Sequence, residues 1–385
     1  MMFPPNEHAP LSPSRLQRII DCPGSFRFGR KCEEEQQEDR SSYAEEGSML
    51  HAAVESYLRN EKWLGPELNH EQMDAVKDAI DYFHVLENTL ASQSPTLHIE
   101  ERVYLKEYSP SLYECSGTCD IIMKTKDEIH VIDWKFGKGV PVYAEDNDQL
   151  YAYAAGAAIN PETLLSYKRV YIHCIQPRLD SYDVVDISPK SLLQWINGRL
   201  IPGCSEALGD SPTFHAGTKQ CRWCPAKVKC RHRYHLANQT AAEVFAVAQN
   251  DLIGVTMEEL TALYARAKQL DQYIKDIGAH IIHTIKAGTP VEGWKMVAGR
   301  SLRRWKHDEE TTIAFLERTI GFDEMFASKL ISPAQAEKLD RDLKKSEEFQ
   351  ELVEKPAGKP TLASEHDKRQ ALEFRNASQI FGDAQ

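Results

Sequence analysis

Apolar residues recur in two rhythms along this chain, and the switches between them outline its elements. Leu50, Val54 and Leu58 share one helical face, as do Met73, Val76, Ile80, Phe83 and Leu86, so the spacing predicts helices over 47–58 and 70–92. Ser12 followed by Pro13 marks an earlier helix start, and Pro23-Gly24 ends that helix just after Cys22. From Leu97 the pattern becomes that of strands, at 97–105, 117–123, 129–135, 168–175 and 181–187. A helix opens at Asp146, with acidic residues at its positive end, and another spans 190–208. Helices around a small mixed sheet make an α/β core over 11–240. Residues 1–10 read as disordered and 33–46 as a polar loop.

A second region, 250–385, reads as mainly helical. Leu260, Leu263, Ala267, Leu270, Ile274 and Ile281 stripe a long helix over 256–287. A short hairpin from Gly293 to Trp305 follows, then helices at 309–319 and 333–352 and a partly extended tail beyond Lys355. That hairpin carries basic and aromatic residues, a combination that suits either a stacking surface for single-stranded DNA or a plain solvated hairpin.

The chain has 385 residues, 42% hydrophobic and 27% charged, and no apolar run nears the roughly 20 residues of a membrane span. With no basic-then-apolar leader at the N-terminus, a cytoplasmic protein is expected. A net charge of −12 argues against coating nucleic acid by overall charge and leaves a local basic groove open. Two clusters qualify: Lys219, Arg222, Lys227, Lys229, Arg231 and Arg233, with no acid among them, and Arg300, Arg303, Arg304 and Lys306 around Trp305.

Asp133 and Lys135 close an apolar strand and, two apart, share a face, with Trp134 on the other. Together with Asp120 at the preceding strand they suit a hard divalent cation with an ammonium beside it; the plain alternative is a surface ion pair. His51 and Glu55, four apart on a helix, are neighbours, as are Gln149 and Tyr153. Nine cysteines without a secretory leader do not suggest disulfides. Cys221, Cys224 and Cys230 form a compact trio for which Cys22 is the natural fourth ligand. Four thiolates suit zinc or a [4Fe–4S] cluster; a remote cysteine joining a trio leans to the cluster. Cys32, Cys115, Cys119, Cys174 and Cys204 read as core residues.

The order Ser12-Pro13-Ser14…Cys22-Pro23, Gly47…His51, Gly117…Asp120, Asp133-x-Lys135, Gln149-x-x-x-Tyr153 and Cys221-x-x-Cys224…Cys230 resembles the RecB-like branch of the PD-(D/E)xK nucleases. It is most similar to the iron–sulfur members, which include the nuclease half of AddB and the exonuclease of CRISPR adaptation modules. With the segments 292–301 and 355–362, the whole chain resembles an uncharacterised phage and prophage family of recombination and replication modules. The resemblance implies a restriction-endonuclease-like core, bound Mg²⁺ or Mn²⁺, and DNA exonuclease activity in a bacterial host, with a phage recombinase or single-strand-binding protein as partner. It implies His51, Asp120, Asp133 and the Trp134 carbonyl as metal ligands and Lys135 as the residue that positions the attacking water. Gln149 and Tyr153 would contact the DNA backbone, with Arg222, Lys229 and Arg231 as further DNA contacts. Cys22, Cys221, Cys224 and Cys230 would hold the cluster. Asp133 stands where many relatives have Glu, and Glu55 and Glu101 are candidates for supplementary acids. Two other readings remain at this point: a catalytically silent DNA-binding subunit of a recombination complex, and a zinc-binding interaction protein.

Overall fold

The computed structural model describes residues 9–35, 42–139, 141–247, 256–299, 303–320, 330–354, 356 and 359–374. These fall into two compact units, one up to Leu270 and one from Asp271. In the first, helices α1 (Pro13–Asp21), α2 (Ser25–Glu35), α3 (Ser42–Leu58) and α4 (His70–Leu90) precede strands β1 (Thr96–Tyr104), β2 (Ser116–Lys124) and β3 (Glu128–Trp134). Then come α5 (Asp148–Ala158), α6 (Pro161–Ser166), β4 (Arg169–Gln176), β5 (Ser181–Ile187), α7 (Pro189–Trp195), α8 (Ile201–Leu208), α9 (Thr218–Arg222) and α10 (Arg231–Val247).

The sheet runs in chain order β1-β2-β3-β4-β5. It is antiparallel except where β3 pairs in parallel with β4, the one step bridged by the α5–α6 crossover that parallel pairing requires. Residue chemistry follows position. β2 and β3 are buried almost throughout, as strands covered on both faces must be, whereas edge strand β5 alternates half-buried and exposed positions. Leu16, Ile19, Ile122, Val131, Leu150 and Ile172 belong to one core, with α1, α5 and α8 over that face; Leu50, Phe83, Ile121, Ile132 and Trp134 belong to the other, under α3 and α4.

Local signals account for several element ends. Ser12 occupies the N-cap position of α1 without a side-chain bond to the helix, Pro13 follows in the first turn, and Cys22 sits at its C-terminal cap. Asn69 and Gln72 form a reciprocal capping box at the start of α4. The helix expected over 190–208 is helical throughout, but Ile196–Leu200 widens into a π-turn just before Pro202, which has no N–H to give. Residues 33–35 and 42–46 of the polar loop expected over 33–46 are helical instead, and 36–41 lie outside the described residues. α2 runs to Glu35 and α3 begins at Ser42; the charge of Glu46 on α3 is taken up by Arg178 at 2.7 Å. Residues 1–8 lie outside the described residues, while Ala9 and Leu11 are buried.

Helix α11 (Met257–Lys286) spans the boundary between the units. The second unit contains β6 (Trp294–Ala298), β7 (Arg304–Trp305), α12 (Glu309–Thr319), α13 (Pro333–Leu339), α14 (Glu347–Leu352), β8 (Val353–Glu354) and β9 (Pro360–Ser364). The expected hairpin of β6 with β7 does not form: β6 pairs with β9 and β7 with β8. The helix expected over 333–352 is three pieces, α13, a 3₁₀ segment over Arg341–Lys345 and α14. Trp305 packs edge-on against Phe349 and donates its indole N–H to the Ile331 carbonyl at 2.8 Å, within a core of Phe315, Leu316, Ile331 and Leu352. It is therefore not an open stacking surface. Arg303 binds Glu337 and Arg304 binds Glu354, so these two arginines are neutralised locally; Arg300 lies outside the described residues.

Candidate active site

β2 and β3 pair regularly from Lys124↔Ile129 up to Ile121↔Ile132, and the next position along each strand is Asp120 and Asp133. There the backbone ladder stops. Asp120 Oδ2 takes its place, accepting the Trp134 backbone N–H at 2.7 Å. The two carboxylates thus face one another where the strands part, and the Trp134 N–H is satisfied by a side chain instead of a carbonyl.

The β1–β2 ladder is broken at the same point. Ile99 pairs with Ile121 and Glu101 with Cys119, so Glu100 stands opposite Asp120 outside the ladder. Glu100 has φ 50°, left-handed backbone that a side-chain-bearing residue adopts at a cost of about 1 kcal/mol. Faces reverse across this kink: Ile99 borders one core and Val103 joins the other, and Ile121 and Cys119 divide in the same way. Regular alternation would put each pair on one face. The kink brings Glu100 to Asp120 and His51 of α3, and one ligand atom from each lies within 4.8 Å of the other two. His51 Nδ1 is 3.4 Å from Asp120 Oδ2, and its ring packs edge-on against Phe136.

Lys135 lies on the other side of Asp133. Its Nζ is 2.7 Å from Asp133 Oδ2 and donates to Gln149 Oε1 at 3.3 Å. Gln149, in the first turn of α5, donates from Nε2 to Asp133 Oδ1 at 3.3 Å and to Tyr153 Oη at 3.2 Å, one helical turn on. Asn147 caps α5 with its side chain on the Gln149 and Leu150 N–H groups, which sets where Gln149 starts. The Trp134 ring points away into the α3–α4 core, as the strand alternation predicts.

Electrostatics divide these groups by role. Burial, with Asp120 adding to it and His51 opposing, pushes the Glu100 carboxyl up to about 7. Burial likewise raises Asp133, against the pull of Lys135. Burial works against the Lys135 ammonium, but Asp133 and Asp120 outweigh it and hold its pKa above the ordinary lysine value. The same balance raises His51: burial opposes its charge, and Asp120 overcomes that. A crowd of buried anionic oxygens is held against its own repulsion here, and a hard divalent cation would relieve it.

The sequence-predicted residues divide accordingly. His51, Asp120, Asp133, Lys135, Gln149 and Tyr153 converge. Glu101, by contrast, is exposed beside His98, and Glu55 pairs with Arg59. Glu100 was missed because only the register of β1 against β2 places it opposite Asp120. Gly117 has a packing reason: a Cβ there would stand 2.6 Å from Cδ of Pro13, so α1 can approach β2 this closely only over glycine.

Cys22, Cys221, Cys224 and Cys230 line one pocket together with Phe28, Phe214 and His232. The His215 N–H donates to Cys22 Sγ at 3.3 Å and the Gly217 N–H to Cys221 Sγ at 3.4 Å, the contacts that favour thiolates. Burial raises both thiols, and these N–H groups oppose it. Phe214 walls the pocket, stacked on His232 at 4.9 Å, and a Cβ on Gly24 would collide with its ring. The other five cysteines are buried core residues, as expected, with Cys32 packed beside Cys224 and Ala226 next to this pocket. Among the described residues, no helix is long and apolar enough to cross a membrane.

Comparison with known proteins adds two findings. The solved structure described as "Crystal structure of SSO0001" is 17% identical, covering 54% of this chain and 96% of that one at a TM-score of 0.24. The family described as "Protein of unknown function (DUF2800)" matches residues 8–370, and the chain belongs to that family.

Proposed function

We propose that this chain is a metal-dependent deoxyribonuclease with a PD-(D/E)xK-type site, acting as an exonuclease on DNA ends or single strands. The observation that carries the reading is the break in the ladder at Asp120 and Asp133, which sets two carboxylates face to face, His51 and Glu100 on one side and Lys135 on the other. A surface ion pair needs none of this buried convergence.

His51, Glu100, Asp120 and Asp133, with the Trp134 carbonyl, would hold Mg²⁺ or Mn²⁺; oxygen donors with one imidazole fit a hard ion. Bound there, the ion would polarise a phosphoryl oxygen and lower the pKa of a water. Lys135, kept protonated by Asp133, orients that water and meets the charge that develops on the phosphoryl oxygens during in-line attack. Gln149 fixes the Lys135 head group and donates to Tyr153, whose own O–H is left to donate to the adjacent DNA backbone; Gln149 would reach that backbone by releasing one of its two N–H contacts. The four cysteines would hold a [4Fe–4S] cluster that ties α1 to the segment near α9 across about 200 residues of chain, a constraint that stabilises the fold. The setting that fits is processing of phage DNA ends beside a recombinase or single-strand-binding protein.

Lys135→Ala separates chemistry from metal binding. It should leave Mn²⁺ affinity within a few-fold while cleavage of end-labelled DNA falls about a thousandfold. Retained cleavage by this variant would remove Lys135 from the mechanism.

A further inference from the structure

We propose that Trp223 is a base-stacking residue for a single-stranded polynucleotide whose phosphates lie along the basic segment around it. The inference rests on the nucleic-acid reading above and narrows its substrate to single strands. Trp223 is 77% exposed, an unusual setting for an indole, while Cys221 and Cys224 on either side are both buried. Backbone bonds from Cys224 N–H to Cys221 O and from Lys227 N–H to Cys224 O close the turn between them, so the ring is presented from a fixed loop. The Arg222 guanidinium lies 5.3 Å from the centroid of that ring, which leaves the indole's other face for a base.

Charge points to a polyanion. No Asp or Glu occurs between Asp210 and Glu243, in a chain of net charge −12, and Lys219, Arg222, Lys229 and Arg231 in that interval are exposed. Helix α1 packs against both α9, which carries Cys221, and α5, which carries Gln149 and Tyr153, so this loop and the candidate active site are braced by one helix. Bases inside a duplex are already stacked on their neighbours and present only their edges; an indole can stack on a base only where the strand is single. A flat aromatic beside a guanidinium on a basic loop therefore fits a single strand better than a duplex.

The test measures binding of an end-labelled single strand of roughly 15 nucleotides by fluorescence anisotropy, with EDTA present so that cleavage plays no part. Trp223→Ala should weaken binding about tenfold, with Trp223→Phe recovering most of it. The salt dependence should be unchanged in Trp223→Ala and shallower by about one unit of slope in Arg222→Ala. Equal affinity of Trp223→Ala and the parent, a preference for duplex of the same length, or no binding by the parent would each overturn the proposal. Failure of the nuclease reading would show separately, as absence of cleavage when Mn²⁺ replaces EDTA.

Discussion

Glu100 shows what a single residue contributes when its backbone is strained and its carboxyl is crowded. Its raised pKa means that the folded state holds a proton the unfolded state has released, so without metal its contribution to stability declines as pH rises from about 4.5 to about 7. Glu100→Gln removes that penalty. At pH 8 in EDTA the variant should be more stable by about 1–2 kcal/mol, and Mn²⁺ should raise its melting temperature less than it raises the parent's. A less stable variant with undiminished Mn²⁺ stabilisation would place Glu100 outside the metal set. Gly117 has the opposite sensitivity. Gly117→Ala forces its Cβ into Pro13, and chemical denaturation should show a loss of about 1–3 kcal/mol.

Elements are held in place by a few buried charges. Asp148, in the first turn of α5, accepts from Trp195 Nε1 at 2.9 Å and from Arg199 Nε and Nη2 at 2.9 and 2.7 Å, and Arg199 also reaches Asp21 of α1. Asp148→Ala should cost about 2–4 kcal/mol in urea denaturation, because it leaves the Trp195 indole N–H without its acceptor and the Arg199 guanidinium with Asp21 alone. Arg178 ties α3 to the loop after Lys135, binding Glu46 and the Phe136 carbonyl. The Arg178 hydrogen bond, with Gln72 assisting, holds the Glu46 carboxyl down to about 2. Its contribution is complete above pH of about 4.5 and is lost as pH falls toward 2, so Glu46→Gln should flatten that part of the acid-denaturation curve. Much at this scale was legible in the sequence: the strands, α1, α4 and the Gln149–Tyr153 pair follow from periodicity and capping residues. What was not legible depended on long-range pairing. α10 has no apolar stripe to announce it, and β6 and β7 look like a hairpin until β8 and β9 supply their partners. The charges of Arg303 and Arg304 likewise read as open until Glu337 and Glu354 are placed beside them.

For the whole molecule, the arrangement joins three features of the first unit: an acidic centre where strands part, a lysine fixed by an amide, and four cysteines around one pocket. Cys224→Ser should reduce bound iron and the associated visible absorbance in anaerobically prepared protein and lower thermal stability by several degrees; stoichiometric zinc with no chromophore would replace the cluster by a zinc site. The most direct test of the central claim is cleavage of end-labelled linear DNA with Mn²⁺ or Mg²⁺ against EDTA, comparing the parent chain with Asp133→Ala. Metal-dependent loss of label that disappears in Asp133→Ala is the predicted result. No cleavage by a parent protein that carries its metals, or equal cleavage by Asp133→Ala, would contradict the account.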